Sequence, residues 1–309
     1  MLDQVNGLHH VTALASAAPA NNVFFTQVLG LRRVKKTVNF DAPEVYHLYY
    51  GDELGRPGTV MTHFPFPGAP RGRAGAGEVG LTVFAVPPGA IRYWQDRLAR
   101  HGVADIRLDE SFGAPRLTFA GPDGDALALV EAEDARSPWT ATVPADAAIR
   151  GFHGVQLRLS DSAATEELLR FMGYEPEARQ DDTLRLRQPG GNGADVIDIL
   201  TVPGAAPARQ GAGSVHHVAF SVADAAQQHA VRQALVDAGC EVTPVIDRDY
   251  FLAIYFRSPG GVLFEVATDA PGFTRDEDAA HLGDALRLPD QHAHLREMLE
   301  NRYLEPLDG

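Results

Sequence analysis

The 309-residue sequence predicts an α+β fold, in which four βαβββ modules form two barrel-like sheets and a helical tail follows at the C-terminus. Three observations support this prediction. A similar short strand recurs four times, and each copy precedes a helical pattern that stops at a glycine after nearly the same interval. Each module then closes with runs of β-branched and aromatic residues separated by turns.

The first strand and helix of each module carry the repeat most clearly. The four strands read GLHHVTAL, EVGLTVFAV, GFHGVQLRL and SVHHVAFSV, and their alignment places at one position His10, Leu81, Gly154 and His217. The helical patterns end in VFFTQVLG, YWQDRLARHG, EELLRFMG and VRQALVDAG, and a glycine just past a helix adopts the left-handed conformation that stops it. The intervals from the aligned position are 20, 21, 19 and 22 residues, and they end at Gly30, Gly102, Gly173 and Gly239.

Three further strands complete each module. Runs such as EVYHLYY, PRLTFA, TLRLRQ and YFLAIYF are typical of strands, and turn signals precede the last strands RPGTVMTHF, GPDGDALALV, GGNGADVIDIL and SPGGVLFEVA. We expect two consecutive domains, 1–135 with modules 1 and 2, and 148–270 with modules 3 and 4. Residues 271–309 form the tail, where DQHAHLREMLENRY predicts a last helix.

Composition and charge exclude several classes of partner. The formal net charge of −14 would repel a nucleic-acid backbone or an anionic membrane, and no apolar run is long enough to span a bilayer. The N-terminus does not resemble a secretory signal, and the single cysteine, Cys240, cannot form an intramolecular disulfide. We therefore expect a cytoplasmic protein without nucleic acid or membrane as partner. The sequence leaves its oligomeric state open, a homo-oligomer included.

Two histidine pairs, His9–His10 and His216–His217, stand at equivalent places in modules 1 and 4. Successive side chains of a strand face opposite sides of the sheet, so only one histidine of each pair should face a cavity. His10 shares its face with the small polar residue Thr12, whereas His9 lies with apolar neighbours. The same alternation in module 4 predicts that His217 faces inward and His216 outward.

Glu265 completes a candidate metal site. It lies in a strand of otherwise apolar residues, where an unpaired ionised carboxylate would be costly. Two imidazoles and one carboxylate with open positions form the facial triad of non-haem Fe(II) oxygenases. At the histidine position, modules 2 and 3 hold Leu81 and Gly154. At the Glu265 position, module 2 has Ala128, and module 3 offers only Asp198, one residue out of register.

The distribution of these groups predicts how the modules pair. One metal ion can bind His10, His217 and Glu265 only if modules 1 and 4 share a sheet, which leaves modules 2 and 3 to form the other. The alternative is that the three residues belong to the core and are satisfied by a local hydrogen-bond network. Two repeat-equivalent histidines together with a strand glutamate favour the metal site.

Further candidates surround this set. An ungapped alignment of RPGTVMTHF with SPGGVLFEV places His63 at the position of Glu265. His63 would then be a fourth ligand, a group that contacts substrate, or a histidine at the surface. Tyr255 and Arg248 would orient and ionise an aromatic hydroxyl near a metal. The alternative interpretation is that Tyr255 packs in the core and Arg248 is solvated. The remaining histidines, His47 among them, have no repeat equivalent and are interpreted as structural or surface residues.

The repeated unit resembles the vicinal oxygen chelate superfamily, and within it the sequence is similar to ring-cleaving dioxygenases of the hydroquinone dioxygenase type. The motifs that carry the resemblance are GLHHVT, YHLYYGDELGRPGTVMTHFP, VHHVAFSV, the run from RDYF to YFRSPGGVLFEVATD, and PGFTRDED. They are spread over residues 7–278. One departure is His63, which stands where the MT-x-FP stretch of the family leads us to expect threonine.

The resemblance implies an Fe(II) enzyme, with Mn(II) as the alternative metal, that uses O₂ to open a hydroxylated aromatic ring. The ligand positions of the family match His10, His217 and Glu265. The family positions beside the metal ligands match His9, Thr12, His216, Arg248 and Tyr255. By this resemblance His9 and His216 lie near the site, despite the alternation of strand side chains.

Two other functions stay open at this point. A glyoxalase-like isomerase or lyase would bind Ni(II) or Zn(II) through four protein ligands, with a glutamate as base. In this chain His63 would have to take the fourth position. A non-catalytic protein that sequesters an aromatic drug or a quinone would have an apolar cavity and would not need the metal triad.

Overall fold

The computed structural model describes residues 2–307. Its strands form two eight-stranded sheets. In chain order the strands are β1 (Leu8–Ala15), β2 (Arg32–Val38), β3 (Tyr46–Gly51), β4 (Val60–Pro65), β5 (Glu78–Val86), β6 (Ala104–Ser111), β7 (Ala114–Ala120), β8 (Ala126–Glu131), β9 (Gly151–Leu159), β10 (Glu175–Gln180), β11 (Thr183–Arg187), β12 (Val196–Thr201), β13 (Val215–Val222), β14 (Ile246–Asp247), β15 (Phe251–Arg257) and β16 (Leu263–Pro271).

Each module contributes one helix, and the tail contributes a fifth. The α-helices are α1 (Ala18–Val23), α2 (Ile91–Arg100), α3 (Ala163–Phe171), α4 (Ala225–Asp237) and α5 (Arg296–Arg302). Helix α1 continues as a π-helical turn at Phe24–Val28. The helix predicted for the tail begins as a 3₁₀ segment at Asp290–Leu295 and becomes α5.

The glycines predicted to stop the four module helices all adopt the left-handed backbone conformation. Their φ angles are +71°, +67°, +98° and +88° at Gly30, Gly102, Gly173 and Gly239. A side chain is strained in this region, which explains why glycine recurs there. These four helix ends are confirmed, and a β-strand follows each of them.

The strand order confirms the predicted pairing of modules. The first sheet has the order β14-β15-β16-β13-β1-β4-β3-β2, which joins modules 4 and 1. The second has the order β10-β11-β12-β9-β5-β8-β7-β6, which joins modules 3 and 2. Antiparallel pairs β1–β13 and β5–β9 form the two junctions. Each sheet thus combines modules from 1–135 and 148–270, and the division into these two domains stays a prediction.

A large apolar cluster joins the two halves of the molecule. Val11, Trp94, Phe152 and Phe220 are among its fully buried members. Each such side chain contributes about 2 kcal/mol on burial. Because Val11 faces this core, its neighbour His10 faces the opposite side of the sheet, where the cavity described below lies.

The tail is tied to the first sheet by a buried lysine. Lys35 of β2 contacts the carboxylates of Asp276 and Glu277, and its ammonium lies 4.7 Å from the ring centroid of Tyr250. A buried ammonium is tolerated only when it is paired in this way. Among the helices of residues 2–307, none is long and apolar enough to cross a membrane.

Candidate metal and substrate site

Three adjacent strands of the first sheet bring the predicted ligands together. His10 lies on β1, His217 on β13 and Glu265 on β16, and these strands are neighbours in the order β16-β13-β1. The register pairs Thr12 with His217 and Ala219 with Glu265. Residues from opposite ends of the chain therefore meet because modules 1 and 4 share a sheet.

The ligand atoms of these residues converge on one point. His10 Nε2 lies 3.3 Å from His217 Nε2 and 3.4 Å from Glu265 Oε2, and His217 Nε2 lies 2.9 Å from the same oxygen. The three residues are buried, and their ligand atoms all lie within 4.8 Å of one another. Neither oxygen of Glu265 has a hydrogen-bond partner of good geometry among the described residues. This donor set fits a divalent transition metal with open coordination positions.

Electrostatics keep this donor set in the protonation state that a metal requires. Burial by itself would raise the pKa of Glu265, but His10 and His217 together hold it well below its usual value. Burial lowers the pKa of His217, and Glu265 offsets only part of that effect. An ionised carboxylate and a neutral imidazole are the forms that coordinate metals.

The second histidine of each pair supports the first. His9 Nδ1 lies 2.9 Å from His10 Nδ1, and His216 Nδ1 lies 2.8 Å from His217 Nδ1. Burial lowers the pKa of His9 to about 3 and that of His216 to about 4, so both are neutral at pH 7. A hydrogen bond at Nδ1 fixes the ring tautomer and leaves Nε2 of His10 and His217 free to coordinate.

Two β-bulges make these contacts, and they overturn the strict alternation expected for the strands. Along β1, Leu8 pairs with Phe220 but His10 pairs with Ala219, so His9 is an extra residue. Along β13, His216 is the extra residue between the partners of Thr12 and Ala13. A bulge turns its residue away from the regular face. His9 and His216 therefore lie beside the ligand histidines. The alternation of strand side chains predicted that they would point to the helix-packing side, and that prediction was wrong.

A cavity of about 570 Å³ opens over the ligand atoms. Its walls are largely aromatic or apolar and include Phe40, Phe64, Phe66, Phe251 and Leu263. The ring of Phe251 also lies 5.0 Å from the ring of His10. Such a cavity has the size and lining that suit a small aromatic ligand.

Tyr255 and Arg248 meet at this cavity. Tyr255 pairs with Glu265 across the β15–β16 ladder, and its ring lies 5.8 Å from that of His217. Arg248 Nε donates to the Tyr255 hydroxyl at 3.4 Å, and its Nη1 lies 3.5 Å from the exposed carboxylate of Asp41. Burial and Glu265 raise the pKa of Tyr255 more than Arg248 lowers it. The phenol is therefore neutral and able to donate.

A row of hydrogen bonds leads from Thr12 into the cavity wall. Thr12 Oγ1 lies 2.9 Å from Thr62 Oγ1, which lies 2.9 Å from His47 Nε2. His47 Nδ1 in turn lies 2.8 Å from the hydroxyl of Tyr49. His47 and Tyr49 line the cavity, which the sequence interpretation missed. The alternation in EVYHLYY contained the signal, because His47 and Tyr49 share one strand face.

The register of the ladders corrects the alignment of module 1 with module 4. Val11 pairs with Met61 and Thr12 with Thr62, whereas Ala219 pairs with Glu265. Since Ala219 is equivalent to Thr12, the position of Glu265 in module 1 belongs to Thr62. The ungapped alignment that assigned this position to His63 was wrong by one residue. It matches Gly58 with Gly260, but the left-handed glycines of the two turns are Gly58 and Gly261.

His63 consequently faces the other side of the sheet. Its ring lies 4.4 Å from the ring of Phe25 and 5.9 Å from that of Tyr50, and its Nε2 lies 3.8 Å from Asp125 Oδ1. It is fully buried, so the surface alternative does not apply. It does not line the cavity of Tyr255 and Glu265.

The same register revises module 3. Gly154 pairs with Val196 and Gln156 with Asp198, so Asp198 is in register with Glu265 rather than one residue out. Its carboxylate accepts two hydrogen bonds of 2.8 Å from Arg185. In module 3 the cation that pairs with the buried carboxylate is therefore the guanidinium of Arg185.

Comparison with known proteins agrees with this geometry. The model of the Glyoxalase/Bleomycin resistance protein/Dioxygenase superfamily matches residues 7–129 and 109–266. MhqO of Bacillus subtilis, provisionally named a ring-cleaving dioxygenase, is 42% identical over 98% of this chain and 97% of its own. The chlorohydroquinone/hydroquinone 1,2-dioxygenase of Sphingobium indicum is 34% identical over 99% of this chain and 98% of its own.

Solved structures extend the agreement to the fold. A crystal structure provisionally described as a dioxygenase from Bacillus subtilis is 41% identical, with a TM-score of 0.95 over 99% of this chain and 98% of that one. Glyoxalase I from Zea mays shares the fold, with a TM-score of 0.62 at 14% identity over 85% of this chain and 92% of that one. The chain belongs to the Glyoxalase/Bleomycin resistance protein/Dioxygenase superfamily, and its full-length relatives place it among the ring-cleaving dioxygenases of that superfamily.

Proposed function

We propose that the protein is an Fe(II)-dependent ring-cleaving dioxygenase of the extradiol type that acts on hydroquinone or a related hydroxylated aromatic ring. The observation that carries the proposal is the convergence of His10, His217 and Glu265 beside an aromatic-walled cavity of about 570 Å³. Mn(II) is the alternative metal. The proposed partners are a small aromatic substrate and O₂.

In this proposal His10 Nε2, His217 Nε2 and a Glu265 oxygen hold the metal. When bound, Fe(II) supplies the redox chemistry through which O₂ reacts with an ionised phenol. His9 and His216 position the two ligand imidazoles through their Nδ1 atoms. Two imidazoles and one carboxylate leave coordination positions open, which a reaction of two small substrates requires.

The cavity walls orient the aromatic ring, and Tyr255 and Arg248 interact with its hydroxyl oxygen. Tyr255, which is neutral, donates a hydrogen bond to the substrate hydroxyl beside His217, and Arg248 balances the charge of the ionised oxygen. Thr12, at the inner end of the hydrogen-bond row, holds Thr62 and through it His47 at the cavity wall. The ring bond next to the hydroxyl-bearing carbon breaks, and both atoms of O₂ enter the product.

Two alternatives are less well supported. A glyoxalase-like isomerase or lyase would need a fourth ligand, but the position equivalent to Glu265 in module 1 holds Thr62, and His63 lies on the opposite face of the sheet. A binding protein for aromatic compounds would use the cavity but gives no reason for a fully buried Glu265 carboxylate beside two imidazoles. We also propose a cytoplasmic location and leave a homo-oligomer open.

The test is oxygen uptake by protein loaded with Fe(II) under argon, using hydroquinone and catechol as substrates and ¹⁸O₂ to label the product. We expect an opened ring with one labelled atom in its carboxylate and, when the aldehyde is reduced at once with borohydride, a second in the resulting alcohol. His10→Ala and Glu265→Gln should each lower kcat/KM by about a thousandfold. His101→Ala, at the exposed end of α2, is the matched control and should keep full activity. Full activity in either ligand variant, or an opened ring whose carboxylate carries no label, contradicts the proposal.

A further inference from the structure

We propose that Tyr49, held in place by His47, binds the second hydroxyl of the substrate ring and so selects rings whose two hydroxyls lie para to each other. This inference rests on the proposed function, because it assumes that the first hydroxyl lies at the His10, His217 and Glu265 end of the cavity. Tyr49 would contact substrate, and His47 would act through Tyr49 as a positioning residue.

The row of hydrogen bonds that begins at Thr12 ends at Tyr49, on the wall of the cavity. Thr12 and Thr62 are fully buried and do not line the cavity, whereas His47 and Tyr49 do. His47 is neutral because burial holds its pKa well below the usual value, so its ring offers one donor and one acceptor. Both are used, by Thr62 at Nε2 and by Tyr49 at Nδ1.

The hydroxyl of Tyr49 keeps one hydrogen-bonding role for a ligand. If it donates to His47 Nδ1, its oxygen accepts from a substrate O–H. If the row runs the other way, His47 Nδ1–H donates to Tyr49, whose O–H then donates to a substrate oxygen. Burial raises the pKa of Tyr49 well above its ordinary value, so the group remains a neutral phenol. It therefore suits a neutral hydroxyl and not a cation.

Tyr49 lies on a different strand from the three metal ligands but lines the same cavity. Strand β3, which carries Tyr49, is two strands from β1, which carries His10, in the order β1-β4-β3. Two strand spacings separate these backbones by about 10 Å, so Tyr49 and His10 meet the cavity at different places. In a para-dihydroxybenzene the two oxygens lie at opposite ends of the ring. In a catechol both oxygens lie at the same end of the ring, so neither reaches Tyr49 while the other is near His10.

The walls between the two ends support this orientation. Leu14, Phe64 and Phe251 line the cavity together with His10 and Tyr49. Apolar side chains pack against a flat ring without competing for its hydroxyls. The Tyr49 ring is fixed from behind by Phe273, at 5.0 Å between ring centroids.

The experiment is calorimetric titration, under argon, of Fe(II)-loaded protein with hydroquinone and with 4-methylphenol, which has the same outline but no second hydroxyl. We expect wild-type protein to bind hydroquinone about tenfold more tightly. Tyr49→Phe and His47→Leu should each weaken hydroquinone binding by about that factor and leave 4-methylphenol binding unchanged. Loss of folding or of metal would weaken both ligands equally, so 4-methylphenol separates positioning from structural damage.

Tyr50→Phe is the matched control, since Tyr50 lies on the same strand and faces the core beside Phe25. It should keep the wild-type ratio of the two affinities. The inference is overturned if wild-type protein does not distinguish the two ligands, or if Tyr49→Phe keeps the wild-type ratio. Because no O₂ is present, a protein without ring-cleaving activity still yields this ratio, so failure of the proposed function is detected separately by oxygen uptake.

Discussion

Arg185 and Asp198 form a buried, two-bond ion pair at the positions of module 3 that Tyr255 and Glu265 hold in module 4. Both pairs are direct partners in their ladders. The guanidinium of Arg185 donates twice to Asp198 at 2.8 Å. Each sheet thus buries a carboxylate at the same point of its module. In module 3 an arginine neutralises it, whereas in module 4 we assign that role to a metal ion.

Removing the arginine should destabilise the protein severely. Arg185→Met leaves Asp198 ionised and buried, and breaking one side of such a pair costs about 3 to 5 kcal/mol. The double variant Arg185→Met/Asp198→Leu should recover most of that loss, because no unpaired charge remains. Urea unfolding measures the free energies. A loss below about 1 kcal/mol in the single variant would show that the pair is not buried as described.

The equivalence of Thr62 and Glu265 can be tested by adding a ligand. Thr62→Glu should complete a four-ligand set, raise Mn(II) affinity by about tenfold and depress oxygen uptake, because it occupies a position that a substrate needs. His63→Glu is the matched control, and it should leave Mn(II) affinity unchanged and destabilise the core near Phe25. Tighter Mn(II) binding by His63→Glu alone would restore the ungapped alignment.

His216 should matter to metal affinity without being a ligand. His216→Phe removes the partner of His217 Nδ1, so the ligand ring loses its fixed tautomer and Mn(II) affinity should fall by about 10- to 100-fold. His229→Phe, at an exposed position of α4, serves as control. Unchanged affinity in His216→Phe, measured by calorimetry, would mean that the Nδ1 contact has no role in metal binding.

His153 should contribute to a fall of stability in mild acid, together with the buried His9, His47 and His216. Burial, with Arg185, Arg187 and Arg136 nearby, lowers the pKa of His153 from 6.5 to about 3. Between these values the unfolded chain binds a proton that the folded protein does not, so the free energy of unfolding decreases as the pH falls below 6.5. The contribution of His153 to the decrease from pH 7 to pH 5 is about 2 kcal/mol.

His153→Gln should remove this part of the pH dependence, as measured by urea unfolding at both pH values. His101→Gln, at the exposed end of α2, is the control and should keep the wild-type difference. An equal loss of stability in wild-type protein and His153→Gln would assign the acid sensitivity to other groups.

The repeated pattern of the sequence was sufficient to predict the modules and their pairing. Glycines such as Gly30 and Gly239 end the module helices as predicted, because a left-handed residue is a local requirement that the sequence displays directly. The restriction of the aligned histidine pairs and the glutamate to modules 1 and 4 was sufficient to predict which modules share a sheet, because a single metal site would require them to meet.

The finer geometry of the site depended on features that have no local signature. The bulges at His9 and His216 arise from the pairing of β1 with β13, two strands far apart in the chain. The register of Thr62 depends on the same long-range ladder. His47 was missed because its neighbours in the hydrogen-bond row, Thr62 and Tyr49, become visible only when β3 and β4 pair.

The most direct test of the central claim is a crystal of the protein loaded anaerobically with Fe(II), measured at the iron absorption edge. We predict one anomalous peak per chain, about 2.1 Å from His10 Nε2, His217 Nε2 and an oxygen of Glu265. An anomalous peak at other side chains, or no peak between these three, would contradict the assignment of His10, His217 and Glu265 as the metal ligands.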